Sequence, residues 1–180
     1  AAPVKHNGLQ HAQFSNSEVR FTQPQMGITL NGIAQGYITD RVTQLLEKAG
    51  LAHAIVDLGE LRHLDPQHQH SEQASVRDPK NEKGTLFQIP LDNQALATSG
   101  GYGTHFDQAG QFTHLFNPKT GGSSPRYQSI SVRADQAALA DALSTAFAVS
   151  SESVIRNAVK QRSNIKAWAI ALDGTVKEYG

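Results

Sequence analysis

The chain has 180 residues, with 16 Lys plus Arg against 16 Asp plus Glu and eight His beside them. A formal net charge of zero gives a nucleic-acid backbone no electrostatic footprint, so general nucleic-acid binding is not expected. With no cysteine, disulfides, thiolate chemistry and Cys-held zinc or iron–sulfur centres are excluded.

The length suits one domain spanning residues 1–180, and 38% apolar against 18% charged residues argues against disorder. No apolar run approaches the roughly 18 residues that cross a bilayer. Ala1–His11 has no apolar centre and does not read as a signal peptide. A mature form and a cut piece of a longer chain both begin this way.

In chain order, Gln10–Arg20 reads as weak extended segments, followed by a turn at Gln23–Gln25 and a short stretch, Ile28–Leu30, stopped by Asn31-Gly32. Apolar residues at Ile33, Ala34, Tyr37, Ile38, Val42, Leu45, Leu46 and Ala49 keep helical spacing and predict a helix of about four turns ending at Gly50. Ala54–Leu58 reads as a buried strand ending at Gly59, and Arg62–Ser71 as a loop rich in His and Gln. Strands are expected at Ala74–Arg77, Thr85–Ile89, Ala95–Ser99, Tyr102–Phe106 and Gln111–Phe116, with Asp107–Gly110 turning the last pair. Asn117–Ser124 is a loop and Ser129–Arg133 a strand. Helices are expected from about Gln136 to Val149 and from about Ser151 to Gln161. Ala167–Leu172 and Thr175–Tyr179 close as a hairpin on Asp173-Gly174. The predicted class is α+β, a largely antiparallel sheet packed with two principal helices, with Phe147 and Trp168 in the core.

Three places could carry chemistry. Thr29–Gly36 turns a strand end into a helix start through Gly32, and a helix N-terminus presents N–H groups suited to a phosphate. A structural glycine turn is the plainer reading. In the helix containing Asp141 to Thr145, the carboxylate and hydroxyl four residues apart share a face with Ala138 and Ala142. Such hard oxygens suit Mg²⁺, although a surface Asp bonded to Thr has the same spacing. His114, where a strand meets a Gly/Pro loop, has the pKa range of a general base; a solvent-facing strand His is the alternative. His63, His68 and His70 offer a weaker metal reading, because their loop lacks a firm fourth ligand and a scaffold.

Five segments in order, Leu30–Arg41, Ile55–Gly59, Ala97–Gly100, His114–Gly121 and Ala140–Ala146, resemble the bacterial FAD:protein FMN transferases of the thiamine-biosynthesis-lipoprotein family. The likeness covers about Met26 to Val149 and implies an ApbE-like, T-fold-type core. It implies Mg²⁺-dependent transfer of FMN from FAD to a threonine hydroxyl of an acceptor flavoprotein or redox-complex subunit, with release of AMP. Under it, Gly32 (through its carbonyl), Asp141 and Thr145 hold the metal. Thr29 and Gln35 face the flavin nucleotide, Leu115 and Phe116 line it, and His114 activates the acceptor. An extracytoplasmic or periplasmic site of action and a homodimer are further expectations.

The sequence departs from that pattern at Thr29 (commonly Asp), Gln35 (Lys or Glu), Glu60 (a second Gly) and Asn117 (a frequent Asp). The region that family members carry before the first motif is also not in this sequence, which resembles their C-terminal portion. Two alternatives stand beside the transferase: an FAD pyrophosphatase, and a shortened non-catalytic flavin- or metal-binding module that partners a redox protein.

Overall fold

A six-stranded sheet, antiparallel throughout, separates two apolar cores in the computed structural model, which describes residues 8–79, 81–101, 115–123 and 126–180. Its strands are β3 (Ala54–Asp57), β4 (Leu61–Leu64), β7 (Ala95–Gly100), β8 (Ser129–Ala134), β9 (Lys166–Ile170) and β10 (Val176–Tyr179). They lie in the order β10-β9-β8-β7-β4-β3. Two hairpins stand apart from this sheet: β1 (Ala12–Phe14) with β2 (Val19–Phe21), and β5 (Glu72–Asp78) with β6 (Asn81–Leu91). Three helices complete the described chain: α1 (Ala34–Lys48), α2 (Ala137–Ala148) and α3 (Glu152–Lys160). The expected α+β class is the one observed.

Strand alternation explains the two cores. Ala95, Ala97, Ile130, Val132, Ala134, Ala167 and Ala169 point to one face, where they pack with Ala137, Ala140 and Phe147 of α2 and Ile155 and Val159 of α3. Leu96, Trp168 and Ile170 point to the other, against Ala74, Val76, Ile89 and Leu91 of the β5–β6 hairpin. Alanines on the helix side let α2 lie close to the sheet. Arg133 ties the layers: it donates to the Pro90 carbonyl at 3.0 Å and lies 5.9 Å from the centre of the Trp168 ring.

Three local expectations need correction. Arg62–Ser71 is not all loop, because Leu61–Leu64 is β4, paired with β3 and β7. Its His63 is fully buried, with Nδ1 2.9 Å from the Leu91 carbonyl oxygen and Nε2 without a hydrogen-bond partner, so a residue that looks like loop polarity is a buried strand side chain. Second, Ile28–Leu30 forms no strand; irregular chain leads into the turn at Asn31–Ile33. Third, α1 has the expected bounds, and Gly50 takes a positive φ of 93° after it, but its apolar stripe is not what it buries. Gly36, Thr39 and Thr43 face inward, while Tyr37, Ile38 and Leu45 are 51 to 63% exposed. The reason is the closeness of α2. A Cβ built on Gly36 would lie 2.3 Å from the Ala137 carbonyl oxygen, a gap that only glycine fills.

The strand expected at Tyr102–Phe106, its turn at Asp107–Gly110 and most of Gln111–Phe116 lie outside the described residues. Leu115 and Phe116 are described and belong to no strand. Among the described residues, no helix is long and apolar enough to cross a membrane.

Candidate functional site

The site begins at the contact between α1 and α2, where each helix caps the other. Asp40 of α1 accepts hydrogen bonds from the Ala137 N–H at 2.8 Å and the Ala138 N–H at 2.9 Å, in the first turn of α2. In return, Asp141 of α2 accepts one from the Gly36 N–H, in the first turn of α1, at 3.0 Å. First-turn N–H groups have no partner within their own helix, so both carboxylates meet a need that helix geometry creates. Asp141 is therefore not a solvated surface residue; it is buried, 5% exposed. The pairing also changes the reading of the α1 start as a phosphate site. The Gly36 N–H is taken by Asp141 and the Ala34 N–H by the Leu30 carbonyl, so fewer donors face a ligand than an isolated helix end offers.

Beside this contact lies a cleft of about 710 Å³, a size that suits a small ligand or cofactor. Thr29, Gly32, Gln35, Leu115, Phe116, Asp141 and Thr145 all line it. These are seven of the eight residues to which the family resemblance gives a role. The eighth, His114, lies outside the described residues. Gly32 and Thr145 meet directly, since a Cβ on Gly32 would be 3.0 Å from Thr145 Cγ2 and 3.4 Å from its Oγ1. The Thr145 hydroxyl is 3.3 Å from Ser99 Oγ, which is also 2.8 Å from Ser144 Oγ. Thr145 thus pairs across to β7 rather than back to Asp141, and the alternative of a simple Asp–Thr surface pair does not describe this helix.

Gln35 folds over the β3–β4 turn. A Cβ on Gly59, whose φ is 103°, would lie 2.6 Å from Gln35 Nε2. Thr29 stands exposed and accepts from the Asn31 N–H at 3.3 Å. Asn117, on the loop after Phe116, accepts the Lys119 N–H through its side chain at 2.9 Å and the Gly121 N–H through its carbonyl at 2.8 Å. An Asn in place of Asp therefore still organises that turn.

Sequence reading singled out no role for Glu60 or Ser99, both of which line the cleft. Glu60 follows the Gly59 turn and is only 7% exposed, with Oε2 buried and without a hydrogen-bond partner. Burial first, and then the nearby Asp141 charge, pushes its pKa up to about 8, against a lowering hydrogen bond from the backbone of Thr98. The Asp141 carboxyl is likewise raised by burial, partly opposed by its bond from Gly36. No Lys or Arg stands among the described residues lining the cleft. The result is two buried acids, hydroxyl and carbonyl oxygens, and no side-chain cation among the described lining. That donor set fits a hard divalent cation. Among the described residues, no three His, Asp or Glu side chains form a metal cluster, so an ion here would need the hydroxyl and backbone oxygens as well.

The histidines of the β4–β5 region form no such site. His68 Nδ1 is 2.6 Å from Asp92 Oδ1, His70 Nδ1 is 3.3 Å from Asp65 Oδ2, and the His53 and His70 rings stack at 4.2 Å.

Comparison with known proteins decides the family. The model of the ApbE family matches residues 1–169. The chain belongs to the ApbE family.

This ApbE-family chain is 31% identical over 141 residues to the FAD:protein FMN transferase of Rhodobacter capsulatus, covering 77% of this chain and 27% of that protein. It is 30% identical over 153 residues to the FAD:protein FMN transferase of Haemophilus influenzae, covering 82% and 44%. The crystal structure of the ApbE protein from Thermotoga maritima superposes with a TM-score of 0.85 at 27% identity, covering 98% of this chain and 59% of that one. The flavin transferase ApbE of Vibrio cholerae, at 22% identity and a TM-score of 0.75, shares the fold. The chain thus spans between about a quarter and three fifths of the length of these relatives.

Proposed function

We propose that this chain carries the nucleotide-handling cleft of an FAD:protein FMN transferase. The observation that carries the reading is convergence. Gly32 and Gln35 from one motif, Leu115 and Phe116 from a second, and Asp141 and Thr145 from a third line one cleft, in a chain whose curated relatives are named FAD:protein FMN transferases.

In this reading Asp141, Thr145 and the Gly32 carbonyl hold Mg²⁺, which when bound would offset the negative charge of the FAD diphosphate. The chain's own residues do the rest. Asp141 fixes the start of α1 and lines the cleft. Ser99 orients the Thr145 hydroxyl. Thr29 and Gln35 offer neutral hydrogen-bonding groups to the nucleotide, and Leu115 and Phe116 an apolar wall to the flavin. His114 takes the proton of the acceptor threonine. That oxygen forms a bond to the phosphorus on the FMN side, the bond from that phosphorus to the bridging oxygen breaks, and AMP leaves with the electron pair. Action outside the cytoplasm and pairing with a redox-complex subunit belong to the same reading.

The test is to incubate the chain with FAD, Mg²⁺ and an acceptor containing the target threonine. AMP is followed by chromatography and attached flavin by in-gel fluorescence. AMP in step with flavinylated acceptor is the expected result. AMP without flavinylation would favour the pyrophosphatase. The uncharged Thr29 and Gln35, at positions where the family commonly carries charge, favour a second reading, a module that binds flavin weakly and does not react. A flavin fluorescence change on titration with no AMP at any Mg²⁺ concentration would select it.

A further inference from the structure

Glu60 is placed where a carboxylate is costly to keep. It follows a tight turn, in which the Gly59 N–H is held by Asp57 Oδ1 at 3.1 Å, and a side chain beside a hairpin turn ordinarily has water within reach. Here the side chain is 93% buried and lines the cleft, and Oε2 meets no hydrogen-bond donor. A buried carboxylate oxygen without a donor loses its hydration uncompensated, a cost that a bound partner can remove. The other acid of the cleft gives it no hydrogen bond. Asp141 shares the cleft, and no Lys or Arg is among its described lining residues. Thr29, Asn31, Gln35, Thr98, Ser99 and Thr145 supply its other described polar side chains, all uncharged. A small divalent cation is the chemical species that satisfies two acids in one cleft, and it takes six or more oxygens.

We propose that Glu60 is a ligand of the same divalent cation as Asp141, so that this chain holds its ion with two carboxylates, one from the β3–β4 turn and one from α2. The proposal rests on the reading of the cleft as a metal-dependent nucleotide site and extends it to this residue. Two carboxylates match the ion's double charge, so the cation is held before any nucleotide arrives. The β3–β4 turn, carrying Glu60, is drawn toward α2 when the ion binds.

The experiment is Mn²⁺ titration of the full chain in the absence of FAD, read as free Mn²⁺ by electron paramagnetic resonance. It is run on the unaltered chain and on the Glu60→Gln, Glu60→Asp and Asp141→Asn variants, each first shown to be folded by circular dichroism. The expected result is a drop of tenfold or more in Mn²⁺ affinity for Glu60→Gln, partial recovery in Glu60→Asp, and loss of binding in Asp141→Asn. Equal affinity in Glu60→Gln and the unaltered chain, with binding lost in Asp141→Asn, overturns the Glu60 assignment and leaves the metal site standing. Unchanged binding in Asp141→Asn, or none to the unaltered chain, overturns both. Should Glu60→Gln not fold, Glu60→Asp decides alone: an affinity equal to that of the unaltered chain overturns the proposal, and a weaker one supports it.

Discussion

Asp40 and Asp141 hold the same pair of helices together and keep opposite company. Each closes the first turn of the other's helix, Asp40 with two backbone N–H bonds and Asp141 with one. Asp40 has the Arg62 guanidinium 4.0 Å away, and the two side chains are 14% and 13% exposed. Asp141 instead shares its cleft with Glu60, and no described basic residue lines that space. The fold thus gives one capping carboxylate its counter-charge and leaves the other without a side-chain one. Capping alone does not require that difference. In the proposed reading, the Asp141 side is where a cation from outside belongs.

The strongest way to break the comparison is to push the helices apart. Gly36→Ala would drive a methyl group to within 2.3 Å of the Ala137 carbonyl oxygen and disturb both caps at once. A loss of about 3 kcal/mol or more is expected, read by urea unfolding. Asp40→Ala removes the acceptor of two N–H groups and leaves half-buried Arg62 without the acid beside it. A loss of about 2–3 kcal/mol is expected by the same measurement, and a loss below about 0.5 kcal/mol would show that Arg62 and the α2 cap are satisfied otherwise.

Glu60 sharpens the comparison through pH. Its folded pKa of about 8 stands above the ordinary 4.5 of the unfolded chain, so the folded state binds more protons between these values. Its contribution to stability is therefore complete below pH 4.5 and is lost as pH rises toward 8. In chelator, stability is expected to fall by about 1–3 kcal/mol across that window through this group. Glu60→Gln should flatten the dependence, and an identical pH profile in the variant would remove the group from the account. The smallest effect belongs to Ser99→Ala, which takes away the neighbour of the Thr145 hydroxyl. About 0.5–1.5 kcal/mol is expected in stability, with the cap at Gly36 unaffected.

What could be read from sequence follows from range of interaction. The bounds of α1 and α2 are local properties of periodicity and stops, and both emerge within two residues of expectation. Which side of α1 is buried is not local. The small residues Gly36, Thr39 and Thr43 form the inward face because Ala137 comes so close, while the apolar stripe that suggested a core face stays largely outside. β4 was hidden because Arg62, His63 and the polar run after them look like loop, and only pairing with β3 and β7 reveals a strand. In the site, Asp141 and Thr145 were legible through their four-residue spacing and Gly32 through its turn. Glu60 was visible only as a departure from a glycine, since its burial depends on β7 and α2 folding over it. Ser99 lay within a recognised segment, but its link to Thr145 spans 46 residues.

The most direct measurement compares Mg²⁺-dependent AMP release from FAD by the unaltered chain and by Asp141→Ala, with the fold of the variant verified by circular dichroism. Release by the first, falling at least a hundredfold in the second even at saturating Mg²⁺, is the expected result. Undiminished release by Asp141→Ala would contradict the assignment of that carboxylate to the ion.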